Sequence, residues 1–252
     1  MGKALQTVSG HDSRPLPAWL LELDRLEYRA ALKLQHRAVA ARARGLLEQD
    51  LVIVLEHPPV FTLGRRAGLD NLTVDREFLA KRGIEVVHAE RGGDITFHGP
   101  GQLVAYPIVR LEKLRLGVAD YVTALEKAMV LTATVWDIEA AGNPEARGVW
   151  VDGRKLGSIG ISVRRGVSFH GLALNVDNDL TPFSWINPCG IRGCRMTSLA
   201  QEAGCPVDMG RARKILVENL ARVLGLEPEP VSPDRVEDLL DRPIPESEGQ
   251  PA

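Results

Sequence analysis

The sequence predicts an α+β fold, with a mixed or antiparallel β-sheet flanked by helices. Residues 148–151, 154–163 and 167–175 are three successive strand patterns separated by only a few residues. The intervening Asp152-Gly153 and Arg165-Gly166 suit tight hairpin turns, which need positive φ at both central positions. Strands and packed helices follow one another without the regular alternation that a doubly wound parallel sheet requires.

The other elements follow in chain order. Residues 19–49 bring Leu23, Leu26, Ala30, Leu34 and Val39 near one face at helical spacing, predicting an amphipathic helix. Residues 51–55 are apolar and β-branched and stop at Glu56-His57-Pro58-Pro59, as a buried strand would. A short helix is predicted over 75–82, ended by Gly83, then a strand over 84–89. A Gly-rich segment over 91–101 leads into another strand, 102–109. Residues 118–135 predict a helix with Asp120 as N-cap, because its carboxylate can accept an orphan backbone N–H. Residues 210–225 predict a helix ended by Gly225, and 234–241 a short one. Residues 243–252 carry too little apolar area to offset the entropy of ordering them, so disorder is expected there.

Hydrophobic residues make up 44% of the chain and charged residues 25%, an ordinary globular balance for its 252 residues. The 31 basic and 33 acidic residues nearly cancel, so no global field marks a nucleic-acid binder. Cys189, Cys194 and Cys205 are an odd set without disulfide or zinc spacing, which favours a reducing compartment. No apolar run is long enough to span a bilayer, and residues 1–18 resemble neither a signal peptide nor, with Gln6, a myristoylation site. A cytoplasmic protein without membrane or nucleic-acid partners is expected.

Three segments have residues suited to chemistry. Residues 91–102 crowd four glycines, a proline and His98 between two strands, which demands an unusual backbone path. They fit neither a P-loop nor a dinucleotide fingerprint. Lys155 opens a strand among small and apolar neighbours, where it can snorkel outward. Gly157 and Gly160 weaken that strand, so a ligand or another backbone is expected against it. Cys189, held between Pro188 and Gly190, sits on a sharp turn that can expose its sulfur. Cys194, beside Arg195, is a competing thiol.

Together these segments resemble the lipoyl(octanoyl) transferase family over roughly residues 20–225. The pattern R-G-G-x-x-T-[aromatic]-H-G-P-G-Q-x-x-x-Y is met by residues 91–106, and G-x-K-[LI]-[GA]-[SA]-I-G by 153–160. F-H-G-[LF]-A-L-N is met by 169–175 and N-P-C-G by 187–190. The resemblance implies the fold of the biotin and lipoate protein ligase catalytic domain. Composition adds a polar N-terminal segment over 1–18 and a Pro- and acid-rich, partly disordered tail over 227–252 that lies outside the resemblance, leaving a catalytic domain over 19–226.

It also implies chemistry. Cys189 becomes the nucleophile and Lys155 its partner. The substrate contacts are Arg91, Gly92, Gly93, Asp94, Ile95, Thr96, Phe97 and His98, with Ser158, Ile159 and Gly160, and Gly171, Leu172 and Ala173. The implied donor is octanoyl-acyl carrier protein, whose phosphopantetheine thiol leaves. The acceptors are lysines of lipoyl domains, in 2-oxoacid dehydrogenase E2 subunits and the glycine cleavage H protein. No ATP and no metal are implied.

The chemistry is coherent without the family. A thiol at its ordinary pKa of roughly 8.5 is only a few per cent ionised at neutral pH, and a nearby ammonium favours the thiolate. Once the cysteine is acylated, a neutral Lys155 can take the acceptor lysine's proton. Backbone amides near residues 171–173 or 189–190 are candidate oxyanion donors. His98 and His170 can position the acyl carbonyl or replace Lys155 as base. Arg65, Arg66 and Arg165 are candidate docking residues for acidic partners. Alternative readings are an ATP-dependent lipoate–protein ligase, an amidotransferase between lipoyl domains, and a non-catalytic acyl-binding protein.

Overall fold

The computed structural model describes residues 14–191 and 193–242, with every side chain except that of Cys189. The chain runs β1 (Leu16–Arg25), α1 (Tyr28–Ala43), β2 (Asp50–Glu56), β3 (Val60–Leu63), α2 (Arg76–Ala80), β4 (Glu85–His88), β5 (Ile95–His98) and β6 (Gln102–Ile108). It continues through α3 (Leu111–Leu114), α4 (Val118–Ala133), β7 (Ala141–Gly142), β8 (Val149–Val151), β9 (Arg154–Arg164) and β10 (Val167–Asn175). Last come β11 (Arg195–Met196), α5 (Leu199–Ala203), α6 (Met209–Leu224), β12 (Leu226–Pro230) and α7 (Pro233–Leu240).

Among the described residues nine strands form one mixed sheet, ordered β12-β1-β2-β6-β10-β9-β8-β7 with β11 alongside β9. The β12, β1 and β2 pairings are parallel, and those from β2 through β7 antiparallel. One face packs on α4 and α6 through Leu125, Met129, Leu216 and Leu220; the other packs on α1 through Leu34, Ala38 and Val39. A second sheet, β4-β3-β5, has its own core around Phe61, Phe97 and Phe183.

β1 corrects the helix expected from residue 19. Ala18 and Leu20 point into one core, Trp19 and Leu21 into the other. A strand buried on both faces reads as an unbroken apolar run, which periodicity cannot tell from a helix. The helix starts only at Tyr28, and Ala30 is exposed. Part of the Gly-rich segment is also a strand, β5. Asp120 lies in the first turn of α4, and Gly117 is its N-cap.

Both hairpins form as expected, with Asp152 and Gly153 at φ +44° and +73° and Arg165 and Gly166 at +52° and +77°. Gly225 ends α6 in the left-handed conformation.

The tail expected from residue 227 contributes β12 and α7 to the body of the protein. Pro228 and Pro230 are tolerated because β12 is an edge strand, where a missing N–H costs no ladder bond. Arg37 of α1 pairs with Glu237 and Asp241 at α7. The expectations for 1–13 and 243–252 lie outside the described residues. Among the described residues no helix is long and apolar enough to cross a membrane.

At the end of α1 the buried Arg42 meets Asp50 at 2.7 Å, and Asp50 also accepts from the Arg110 backbone N–H. This ties α1, β2 and the end of β6 into one unit behind the site.

Candidate active site

Residues 91–98 cross over β9 and β10. The Gly92 N–H donates to Ile161 O at 2.8 Å, joining the two sheets. Gly160 makes the approach possible: a Cβ there would sit 3.0 Å from both Arg91 Cδ and Gly92 O. Gly171 is tighter still, since a Cβ would lie 2.1 Å from Ala105 O on the neighbouring strand. The backbone lying against Gly160 therefore meets the expectation for β9. Gly157 instead makes room for the Met129 sulfur of α4.

Between the two layers runs a narrow cavity, with about 40 Å³ open to the centre of a water-sized sphere. Arg91, Gly93, Asp94, Thr96 and His98 line one wall; Ser158, Ile159, Gly160, Gly171, Leu172 and Ala173 line the other. Three of the expected contact residues do not line this cavity. Ile95 and Phe97 point the opposite way, into the core of the smaller sheet, because successive residues of β5 face opposite sides. Gly92 lines an adjoining cleft rather than the cavity itself.

That cleft is wider, about 320 Å³ on the same measure, and shares Gly93, Ile159 and Gly160 with the cavity. It holds Lys155, Arg66, Arg147 and Ile191. Lys155 does not snorkel outward; it is only 1% exposed. Its Nζ donates to Arg147 O at 2.9 Å and lies 5.2 Å from the centre of the Trp150 ring. Gly148 packs against it and against the β9 backbone: φ is +130°, and a Cβ would fall 2.5 Å from Gly157 O and 2.7 Å from Lys155 Cε. The buried carboxylate of Glu126 holds this loop by accepting from Gly148 N and the Arg147 guanidinium.

The side chain of Cys189 lies outside the described residues, but its backbone belongs to the turn Pro188–Gly190. The turn is held against β5. Asn187 N donates to Asn71 O at 2.8 Å, Asn71 Nδ2 donates to Asp94 Oδ2 at 2.8 Å, and a Cβ on Gly190 would reach that Oδ2 at 3.0 Å. Asp94 thus links the turn to the cavity wall. Cys194 lines a separate groove with Arg154 and Phe183, and Cys205 is exposed.

The expected oxyanion donors are largely engaged elsewhere. Gly171, Leu172 and Ala173 sit in β10, between β6 and β9, where a sheet interior takes up their amides. Gly190 N donates to Asn187 O.

The rest of the cavity lining is Tyr28, Val104, Tyr106 and His170. Tyr28 stacks on His98 with centroids 6.0 Å apart, and His57 packs edge-on against both. His57 donates through Nδ1 to Leu26 O and accepts the Tyr106 hydroxyl at Nε2, 2.7 Å away. Gln102 donates to Phe97 O and Asn175 Oδ1, so its Oε1 takes the Nδ1 proton of His98.

Burial disfavours charge on all three imidazoles. It pushes His57 down to about 4 and His170 to about 3, with Arg91 adding to the effect at His170. His98 also falls well below its ordinary value, by burial first and then by His57. Such weakly basic rings are poor substitutes for Lys155 as proton acceptor at neutral pH. Burial raises Tyr28 to about 12, so it stays protonated.

Tyr28 and His57 were not legible as site residues, because nothing near them in the sequence signals the cavity. Tyr106 and Gln102 stand within the first motif and could have been picked from it. Among the described residues no group of three or more His, Cys, Asp or Glu side chains could hold a metal ion.

Comparison with known proteins agrees with this architecture. Residues 27–221 match the lipoyl protein ligase A/B catalytic domain. An octanoyltransferase from Desulfotalea psychrophila is 48% identical over 82% of this chain and 94% of its own. One from Geobacter metallireducens is 43% identical over 83% and 98%. In fold, the chain is similar to the bipartite lipoate protein ligase of Thermoplasma acidophilum, with TM-score 0.69, 15% identity and coverage of 89% and 91%. Lipoate-protein ligase A solved with ATP gives TM-score 0.64, 15% identity and coverage of 90% and 92%. The chain belongs to the lipoyl protein ligase A/B catalytic-domain family, among its octanoyltransferases, and is an acyltransferase.

Proposed function

We propose that the chain moves an octanoyl group from the phosphopantetheine thiol of an acyl carrier protein to a lysine of a lipoyl domain, through a thioester on Cys189. The observation that carries this reading is a buried lysine in a cleft that opens onto a narrow cavity of fitting length. From the Gly160 end the cavity crosses β9, β10 and β6, two inter-strand steps or roughly 10 Å. An extended eight-carbon chain, with bonds of about 1.5 Å, reaches about 9 Å.

The Cys189 thiolate attacks the donor thioester, the carrier thiol leaves, and octanoyl-Cys189 remains. One thioester replaces another, so the step needs neither nucleotide nor metal. The ammonium of Lys155 favours the thiolate in the first half-reaction. Lys155 gives its proton to the leaving carrier thiolate and, now neutral, accepts one from the incoming lysine as the amide forms and the Cys189 thiolate leaves. The acceptors are the lipoyl domains of 2-oxoacid dehydrogenase E2 subunits and the glycine cleavage H protein. Arg66, at the cleft, is suited to meet an acidic partner.

Steady-state transfer to an apo lipoyl domain, without ATP, tests the reading. Octanoyl-acyl carrier protein is compared as donor with octanoylated H protein. Parallel double-reciprocal lines and a preference for the carrier donor are expected. ATP dependence would replace this reading with a ligase, and preference for the H protein would replace it with an amidotransferase.

A further inference from the structure

Beyond the apolar length of the cavity lies a set of polar atoms that the acyl transfer does not use. The phenol oxygen of Tyr28 and both ring nitrogens of His170 are buried and have no hydrogen-bond partner among the described residues. Both side chains line the cavity, at 2% and 1% exposure. Behind His170, Gln35 Oε1 accepts the His170 backbone N–H at 2.7 Å, while Gln35 Nε2 is likewise unpartnered among the described residues. His170 is held at φ +55°, a conformation uncommon for its type.

The position of these groups matters. Gly93, Ile159 and Gly160 join the cavity to the Lys155 cleft. Tyr28 and Tyr106 lie at the other end, over β6, with His170 packed against Tyr106 at 6.3 Å. A chain entering from the cleft brings its last carbons to them. Tyr28 offers one donor and two acceptor lone pairs, and a neutral His170 one donor and one acceptor. Buried polar groups of this kind are normally satisfied, and a methyl terminus satisfies none of them.

We propose that the far end of the acyl cavity is a polar subsite, in which Tyr28 and His170 bind a hydroxyl-type substituent on the terminal carbon of the acyl chain. The enzyme then accepts ω-hydroxylated eight-carbon chains beside the plain octanoyl group. The proposal rests on the acyl-transfer reading above and adds a specificity to it.

The test compares octanoyl and 8-hydroxyoctanoyl thioesters as donors, by kcat/KM, in the wild type and in Tyr28→Phe and His170→Asn. Asparagine is chosen because it tolerates positive φ. An apolar pocket rejects an added hydroxyl by about 100-fold. The subsite predicts a wild-type ratio within about threefold of unity, falling at least tenfold in Tyr28→Phe. A wild-type ratio near 100-fold against the hydroxyl overturns the proposal. So does a ratio that Tyr28→Phe and His170→Asn leave unchanged, the result expected if only an ordered water sits there. Calorimetric binding of octanoic and 8-hydroxyoctanoic acids reads the same ratio without transfer. Loss of octanoyl transfer with the binding ratio intact would therefore count against the acyl-transfer reading alone.

Discussion

The two ends of the cavity are built by opposite means. At the cleft end, glycines and loops do the shaping: Gly148 leaves room for Lys155, Gly160 lets the Arg91 loop close on β9, and Asp94 links the turn Pro188–Gly190 to the cavity wall. At the far end, the walls are rings drawn from α1, β5, β6 and β10, packed against one another, with Tyr106 hydrogen-bonded to His57 behind them. In the proposed mechanism the groups that change protonation sit at the wide, loop-built end. Groups that must stay neutral sit at the narrow, sheet-built end. The difference separates chemistry from measurement of the substrate, so changes at the two ends should affect different observables.

The largest effect is expected at the cleft end. Lys155→Met keeps most of the buried volume and removes the ammonium, and should lower kcat about 10³-fold, equivalent to about 4 kcal/mol. Thiol alkylation of Cys189 should slow in parallel at neutral pH. An unchanged kcat would remove Lys155 from the mechanism.

The far end should instead respond to acid. Its buried imidazoles have folded pKa values below the unfolded value of about 6.5, so the unfolded chain binds protons that the folded one refuses. Their contribution to stability is complete above about pH 6.5 and declines as pH falls toward 4. Each can cost up to about 1.4 kcal/mol by pH 5.5. Urea midpoints at pH 7.5 and 5.5 should differ accordingly, and a flat profile would contradict the neutral far end.

A smaller loss is expected for Gly148→Ala. The added methyl presses on Gly157 O and on Lys155 in a backbone conformation that alanine rarely adopts. It should reduce kcat roughly 10- to 100-fold, about 1.4 to 2.7 kcal/mol, by moving the ammonium. If stability falls while kcat holds, Gly148 serves folding alone.

The smallest effect on activity belongs to Gln102→Leu, which takes from His98 its Nδ1 partner. About 1–3 kcal/mol of stability should be lost, the cost of an unpaired buried polar group. The reactivity of Cys189 should stay as it was. Slower alkylation would mean the two ends are coupled.

Much of this division was legible in the chain. The residues that line both walls of the cavity stand in compact motifs, and the Asp152-Gly153 and Arg165-Gly166 turns specify the strands that carry Lys155 and His170. Local signals failed where long-range pairing decides the structure. The run from Ala18 to Leu21 is a strand only because β2 and β12 flank it, and Pro228 and Pro230 are acceptable only at the edge that β1 offers. Tyr28 closes the far end because α1 packs over β6 and β10, a contact no nearby residue announces. Alternation within β5 sends Ile95 and Phe97 away from a cavity that the motif as a whole lines.

The most direct test of the central claim is intact-mass analysis after mixing the protein with octanoyl-acyl carrier protein and no acceptor. The wild type and Cys194→Ala should each gain the mass of one octanoyl group, released by hydroxylamine, while Cys189→Ala gains none. An octanoyl adduct that persists in Cys189→Ala would contradict the account.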